Sequence, residues 1–166
     1  MNKVLAFALF LLSSTLFYAQ LPAVSVKDLE GNTVDISQLQ NEGKPIVINF
    51  WATWCKPCVL ELNTIQDDFE EIKEETGVRF LAVSIDDTRN TPKVGPFASS
   101  RGWLYEILLD PNEDLKRAMS VQNPPHTFVF DGKGNMVWQH MGYTLGDEVK
   151  LFDVIRKVAK GEAVEQ

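Results

Sequence analysis

Residues 45–51, Pro45-Ile46-Val47-Ile48-Asn49-Phe50-Trp51, form a nearly unbroken apolar and β-branched run, and four residues beyond it a pair of cysteines opens the next segment. A run without polar alternation is what a strand covered on both faces requires. In the segment that follows, Leu62, Ile65, Phe69 and Ile72 recur at three- and four-residue steps as far as Gly77. This spacing predicts an amphipathic helix whose first turn carries Cys55 and Cys58. A doubly buried strand feeding directly into a helix demands a layered α/β fold, with helices packed on a sheet.

The flanking sequence supplies the remaining layers. Val24 to Asp28 and Thr33 to Asp35 surround Glu30-Gly31-Asn32, predicting a first hairpin. Val78 to Ile85 and Tyr105 to Leu109 read as strands, with a short helix expected between them at Pro96 to Arg101. Asp110, Pro111 and Glu113 have the order of a helix start, predicting a helix from about Pro111 to Met119. His126 to Phe130 and Asn135 to His140 are strands joined by Asp131-Gly132-Lys133-Gly134. The last helix places Val149, Phe152, Ile155 and Val158 on one stripe.

With 166 residues and 45% hydrophobic composition, the chain suits one core rather than two. The N-terminus carries Lys3, then an apolar run from Val4 to Leu12, small polar residues and Ala19, which is the layout of a secretory leader. Residues 1–19 are therefore expected to be a signal peptide, with an uncleaved membrane anchor as the alternative, and 20–166 the folded domain. Phe17 is bulky for a position that usually holds a small residue. Either way the domain is expected in an extracytoplasmic, periplasmic space, soluble after cleavage or tethered by the anchor. The formal charge is −7, and removing the segment with Lys3 leaves −8, so nucleic acid is not an expected partner. A monomer is expected.

Cys55 and Cys58 are the chain's two cysteines. A disulfide across so short a segment constrains the unfolded chain little, so a structural staple is a poor explanation for an exported protein. At a helix N-terminus the unpaired backbone N–H groups, together with the Lys56 cation, favour a thiolate. Cys55, nearer the helix start, is expected to be the nucleophile, and Cys58, one turn inside, the resolving thiol. Pro57 fits the first turn because the N–H it lacks has no partner within the helix.

The stretch Phe50-Trp51-Ala52-Thr53-Trp54-Cys55-Lys56-Pro57-Cys58 resembles the active site of thioredoxins, and most of all the TlpA/ResA-like extracytoplasmic group. The likeness runs from about Leu21 to Lys160. It implies a thioredoxin fold, with a central mixed sheet flanked by helices, an N-terminal hairpin and a central insertion. It also implies a thiol-disulfide oxidoreductase whose redox group is the Cys55–Cys58 disulfide, with no cofactor and no metal. Partners would be disulfide-containing exported proteins and a membrane-bound thiol electron donor. Trp54, Lys56, Pro57, Pro124 and Pro125 would form the rim that meets substrate. The resemblance implies a cis peptide bond at Pro125, while Pro124 departs from relatives that offer a backbone N–H there.

Asn49 stands where cytoplasmic thioredoxins carry a buried acid, leaving the proton acceptor for Cys58 open. The ResA-like pattern places an acid at the end of the next strand, which implies Asp87, with Asp86 the lesser candidate. The alternative for Asp87 is a loop acid that caps the turn. His126 is read as a partly buried strand residue and His140 as structural or exposed, Trp51 as core and Trp54 as exposed rim. Two other functions compete. A thiol peroxidase of the peroxiredoxin type needs a threonine three residues before its cysteine, where this chain has Ala52. A copper carrier on this fold needs a wider thiolate spacing and a strand histidine, for which His126 or His140 would have to serve. A proline before the second cysteine resembles reductants, so a potential of about −220 to −280 mV is expected.

Overall fold

The computed structural model describes residues 19–164. The expected leader therefore lies outside the described residues, apart from Ala19. Seven strands form one mixed sheet in the order β2-β1-β5-β4-β3-β6-β7. They are β1 (Ser25–Asp28), β2 (Thr33–Asp35), β3 (Ile46–Trp51), β4 (Arg79–Ser84), β5 (Glu106–Leu109), β6 (His126–Phe130) and β7 (Met136–Met141). The inner strands β3, β4 and β5 are parallel, whereas β6 returns antiparallel on β3 and the first hairpin joins antiparallel to β5. All six residues of β3 are buried, as its unbroken apolar run requires.

Helix α1 (Lys56–Thr76) runs from the cysteine pair to Gly77, whose left-handed backbone (φ 67°) lets its N–H close on Lys73 O at 2.8 Å. It packs beside α4 (Asp147–Ala159), on the sheet face that carries Asn49 and Thr127. Trp51 is fully buried, with its ring 4.9 Å from that of Trp103 and 5.8 Å from that of Phe97. Trp103 Nε1 donates to Asn63 Oδ1 at 2.9 Å, which ties the central insertion back to α1.

Three helical expectations need correction. Helix α2 spans Thr91–Ser99, beginning five residues before the expected start at Pro96. Pro92 occupies the first turn, where no N–H is needed, and Val94 and Ala98 supply the buried face, so a segment with loop composition folds as helix. Helix α3 is limited to Asp114–Ala118. The buried Asp110 carboxylate accepts the backbone N–H groups of Asp114, Leu115 and Lys116, which sets the helix start there rather than at Pro111. In α4, Val149 is 67% exposed, and the buried stripe is Leu151, Phe152, Val154 and Ile155. Among the described residues no helix is long and apolar enough to cross a membrane.

Candidate active site

Cys55 and Cys58 are joined as a disulfide at the start of α1. Cys55 is the N-cap, and its Sγ accepts the Cys58 backbone N–H at 3.3 Å. The first helical turn thus presents a donor to the sulfur that would carry negative charge after reduction. Both residues are nearly covered, with Cys55 5% and Cys58 0% exposed, so the outer residue of the pair is Cys55. Around them Trp54 is 63% exposed and Lys56 and Pro57 face solvent.

The turn leading into Cys55 is held from below. Cys55 N donates to Ala52 O at 3.1 Å, while the buried Asp86 carboxylate accepts both the backbone N–H and the hydroxyl of Thr53, as well as the Ser84 hydroxyl. Opposite, the Pro124–Pro125 peptide bond is cis. His126 is paired with Phe50 in the β3–β6 register, which sets Pro125 beside the C-terminal end of β3, where the Ala52–Cys55 turn begins. Gly142 N donates to Pro125 O at 2.8 Å and anchors the following loop to this rim.

A buried acid lies one helical turn beyond Cys58. Residues three apart on a helix share a face, so Glu61 sits on the same inward side as Cys58. It is 3% exposed. Asn49 Nδ2 donates to Glu61 Oε2 at 2.9 Å and to Thr127 Oγ1 at 2.8 Å, and Thr127 Oγ1 donates to Glu61 Oε1 at 2.9 Å. Burial pushes the Glu61 carboxyl up to about 7, against the opposing pull of the Asn49 and Thr127 hydrogen bonds. A carboxyl poised there can take or return a proton near neutral pH.

Residues 18–139 match the sequence model of the AhpC/TSA family. The chain belongs to the AhpC/TSA family. It is 31% identical over 138 residues to the thiol-disulfide oxidoreductase ResA of Halalkalibacterium halodurans, covering 83% of this chain and 74% of that one. To ResA of Bacillus anthracis it is 31% identical over 121 residues, 73% of this chain and 67% of the relative. An uncharacterized thioredoxin-like protein from Porphyromonas gingivalis superposes with a TM-score of 0.77 at 50% identity, covering 90% of this chain and 97% of the other. The thioredoxin domain of a thiol-disulfide oxidoreductase from Bacteroides vulgatus shares the fold, with a TM-score of 0.69 at 21% identity over 87% of this chain and 99% of that domain. This AhpC/TSA member is a thiol-disulfide oxidoreductase of the ResA and thioredoxin-like type, and its redox group is the Cys55–Cys58 pair.

Within this AhpC/TSA chain, the expectation for Asp87 is corrected. Asp87 is exposed, and its Oδ1 accepts from Arg89 N, Asn90 N and Asn90 Nδ2, which is the turn-capping arrangement rather than a place beneath Cys58. Asp86 is buried but committed to Thr53 and Ser84. The sequence reading did not single out Glu61, and the one local sign of it is a charged residue on the apolar stripe of α1, between Cys58 and Ile65, where Glu is rarely buried without partners. His126 is buried, stacked on Phe128 at 4.1 Å, with Nε2 3.1 Å from Gln139 Oε1. His140, the other histidine that the copper reading could use, pairs with Asp147, and among the described residues no group of three or more His, Cys, Asp or Glu side chains could hold a metal ion.

Proposed function

We propose that this protein reduces disulfides in exported proteins, apocytochromes before haem attachment among them, and is itself re-reduced by a membrane-bound thiol carrier. The leader-like N-terminus supports an extracytoplasmic site of action, and Pro57 ahead of the second cysteine supports the reducing direction. The observation that carries the reading is the Cys55 sulfur at the helix N-cap, receiving the Cys58 N–H, with the buried Glu61 carboxyl one turn further on.

In the reduced protein the Cys55 thiolate attacks one sulfur of a client disulfide, and the other client sulfur leaves as a thiolate. Cys58 Sγ then gives its proton to Glu61 and attacks Cys55 Sγ, closing the Cys55–Cys58 disulfide as the second client thiolate departs. Two electrons pass to the client. Trp54 and Pro125 form the rim against which an extended client rests, and Pro124, having no N–H, offers its carbonyl alone.

The Ala52 position carries no hydroxyl, and the neighbouring Thr53 hydroxyl is held by Asp86, which disfavours the peroxidase reading. Equilibration with glutathione buffers tests the direction. A potential between about −220 and −280 mV is expected, and a value above about −170 mV would make the protein an oxidant or isomerase.

A further inference from the structure

Strand β7 is an outer edge of the sheet, and it lacks what usually guards an edge. Met136-Val137-Trp138-Gln139-His140-Met141 holds no proline, lysine or acid, whereas β2 at the opposite edge is three residues long and ends in Asp35. Gly142 N donates to Pro125 O in line with the His126–Met141 and Phe128–Gln139 pairs, so the backbone groups of Gln139 and Met141 point away from β6. Among the described residues an extended segment covers the far end of the edge alone. There Ala19 to Leu21 lies antiparallel, with Met136 N donating to Ala19 O at 2.7 Å and Leu21 N to Gly134 O at 3.3 Å. The edge thus already takes an extended chain, and its open part leads from that chain to the loop held at Pro125.

A groove of about 360 Å³ runs beside this edge, on the face of β6 and β7 turned away from Glu61. Thr127 reaches Glu61 from one face of β6, so His126 and Phe128 project from the other, together with their cross-strand partners Met141 and Gln139, and these four line the groove. Every methionine of the chain except Met1 lines it as well. Met141, 55% exposed, stands opposite His126, the residue that follows the cis bond at Pro125, so this end of the groove is continuous with the rim of the cysteine pair. Flexible thioethers accommodate apolar side chains of differing shape. No Asp, Glu, Lys or Arg lines the groove, although such residues make up 23% of the chain.

We infer that this edge and groove bind the client polypeptide by strand addition. An extended segment beside the client's disulfide pairs with Gln139 and Met141, and its alternate apolar side chains enter the methionine-lined groove. The inference rests on the reductase reading for its client and adds the chemistry of the segment that is recognised. The occupant is an unfolded exported chain with apolar residues at alternate positions. A small disulfide or a folded partner cannot satisfy the backbone edge and fill the groove at once. Met141 to Met136 spans about 17 Å of strand, so the segment contributes well beyond the reacting cysteine.

The test uses oxidised protein carrying carbon-13 in its methionine methyl groups, which reads binding without redox chemistry. The probe is a peptide with S-methylcysteine flanked on both sides by Val-Thr-Phe-Thr-Leu. The Met119, Met136 and Met141 methyl signals should move together as it is added. The same peptide with Glu in place of Phe and Leu should bind at least about tenfold more weakly, because a charge must then enter an apolar groove. Met136→Lys, which brings a charge to the end of the groove away from the cysteines, should weaken binding by about the same factor. Two forms of the peptide N-methylated on alternate residues should differ, since one alternation faces the edge and the other faces solvent. Equal behaviour of the two N-methylated forms, or methionine signals that stay in place, would overturn the inference. Signals that move with protein concentration alone would overturn it too, by assigning the groove to a second copy of the chain. Binding of the peptide, with no reduction of its disulfide-linked form by the reduced protein, would uphold the groove and instead remove the reductase reading.

Discussion

Asn49 Nδ2 donates to Glu61 Oε2 over 2.9 Å in the core, so an uncharged residue of the central strand holds a glutamate of α1 on the side of the helix that bears Cys58. A strand position that is acidic in cytoplasmic thioredoxins is neutral here, and the acid has moved to the helix. The acceptor for the Cys58 proton would then sit on the helix that carries the thiol.

Resolution of the mixed disulfide should need ionised Glu61. Its rate is expected to rise with pH through about 7 and then level, following the Glu61 carboxyl. Glu61→Gln should lose that inflection and resolve about 100-fold more slowly at neutral pH, the lower range for a positioned proton acceptor. Stopped-flow measurement of client release from a preformed Cys55 mixed disulfide reads both quantities. A variant that keeps the inflection would assign it to another group.

Stability should carry the mark of the same carboxyl. The folded pKa of Glu61 is raised from 4.5 to about 7, so between these values the native state keeps a proton that the unfolded chain has already released. Stability therefore falls as pH rises through this window and is constant beyond it, by at most about 3 kcal/mol. Urea unfolding of the oxidised protein from pH 4 to 8 checks this by difference. The parent should lose stability relative to Glu61→Gln across the window, and parallel curves would contradict the burial argument.

The two aspartates after β4 should behave oppositely. Asp86→Asn disturbs a buried carboxylate that accepts from Thr53 and Ser84, and is expected to cost about 1 to 3 kcal/mol while loosening the turn before Cys55. Asp87→Asn keeps a side-chain oxygen for the Arg89 and Asn90 N–H groups at the surface, so stability should change by less than about 0.5 kcal/mol and resolution should match the parent. Thermal unfolding with single-turnover kinetics separates them. Slow resolution by Asp87→Asn would restore it as the acceptor.

The strands and the cysteine turn were legible because their signals are local. β3 is an apolar run, Gly77 ends the helix, and Lys56 and Pro57 lie at a helix start. The cis bond at Pro125 came from resemblance to a family rather than from the residue pattern. Glu61 was missed because a carboxylate on an apolar stripe acquires meaning only when Asn49 and Thr127, 12 and 66 residues away in the chain, converge on it. Helix α2 was misplaced because Thr, Pro and Gly suggest a loop until the buried Val94 and Ala98 outweigh them. Val149 went to the wrong face because the period of α4 fits two stripes, and packing against α1 selects the one through Leu151 and Ile155.

The division of labour between the two cysteines is tested most directly by trapping mixed disulfides from reduced protein presented with exported polypeptides. Cys58→Ser leaves the N-cap sulfur of Cys55 able to attack and removes the thiol that would release the client, so covalent complexes that disappear on reduction should accumulate. Cys55→Ser should give few or none, because the remaining sulfur is fully buried. Accumulation on Cys55→Ser with none on Cys58→Ser would contradict the account.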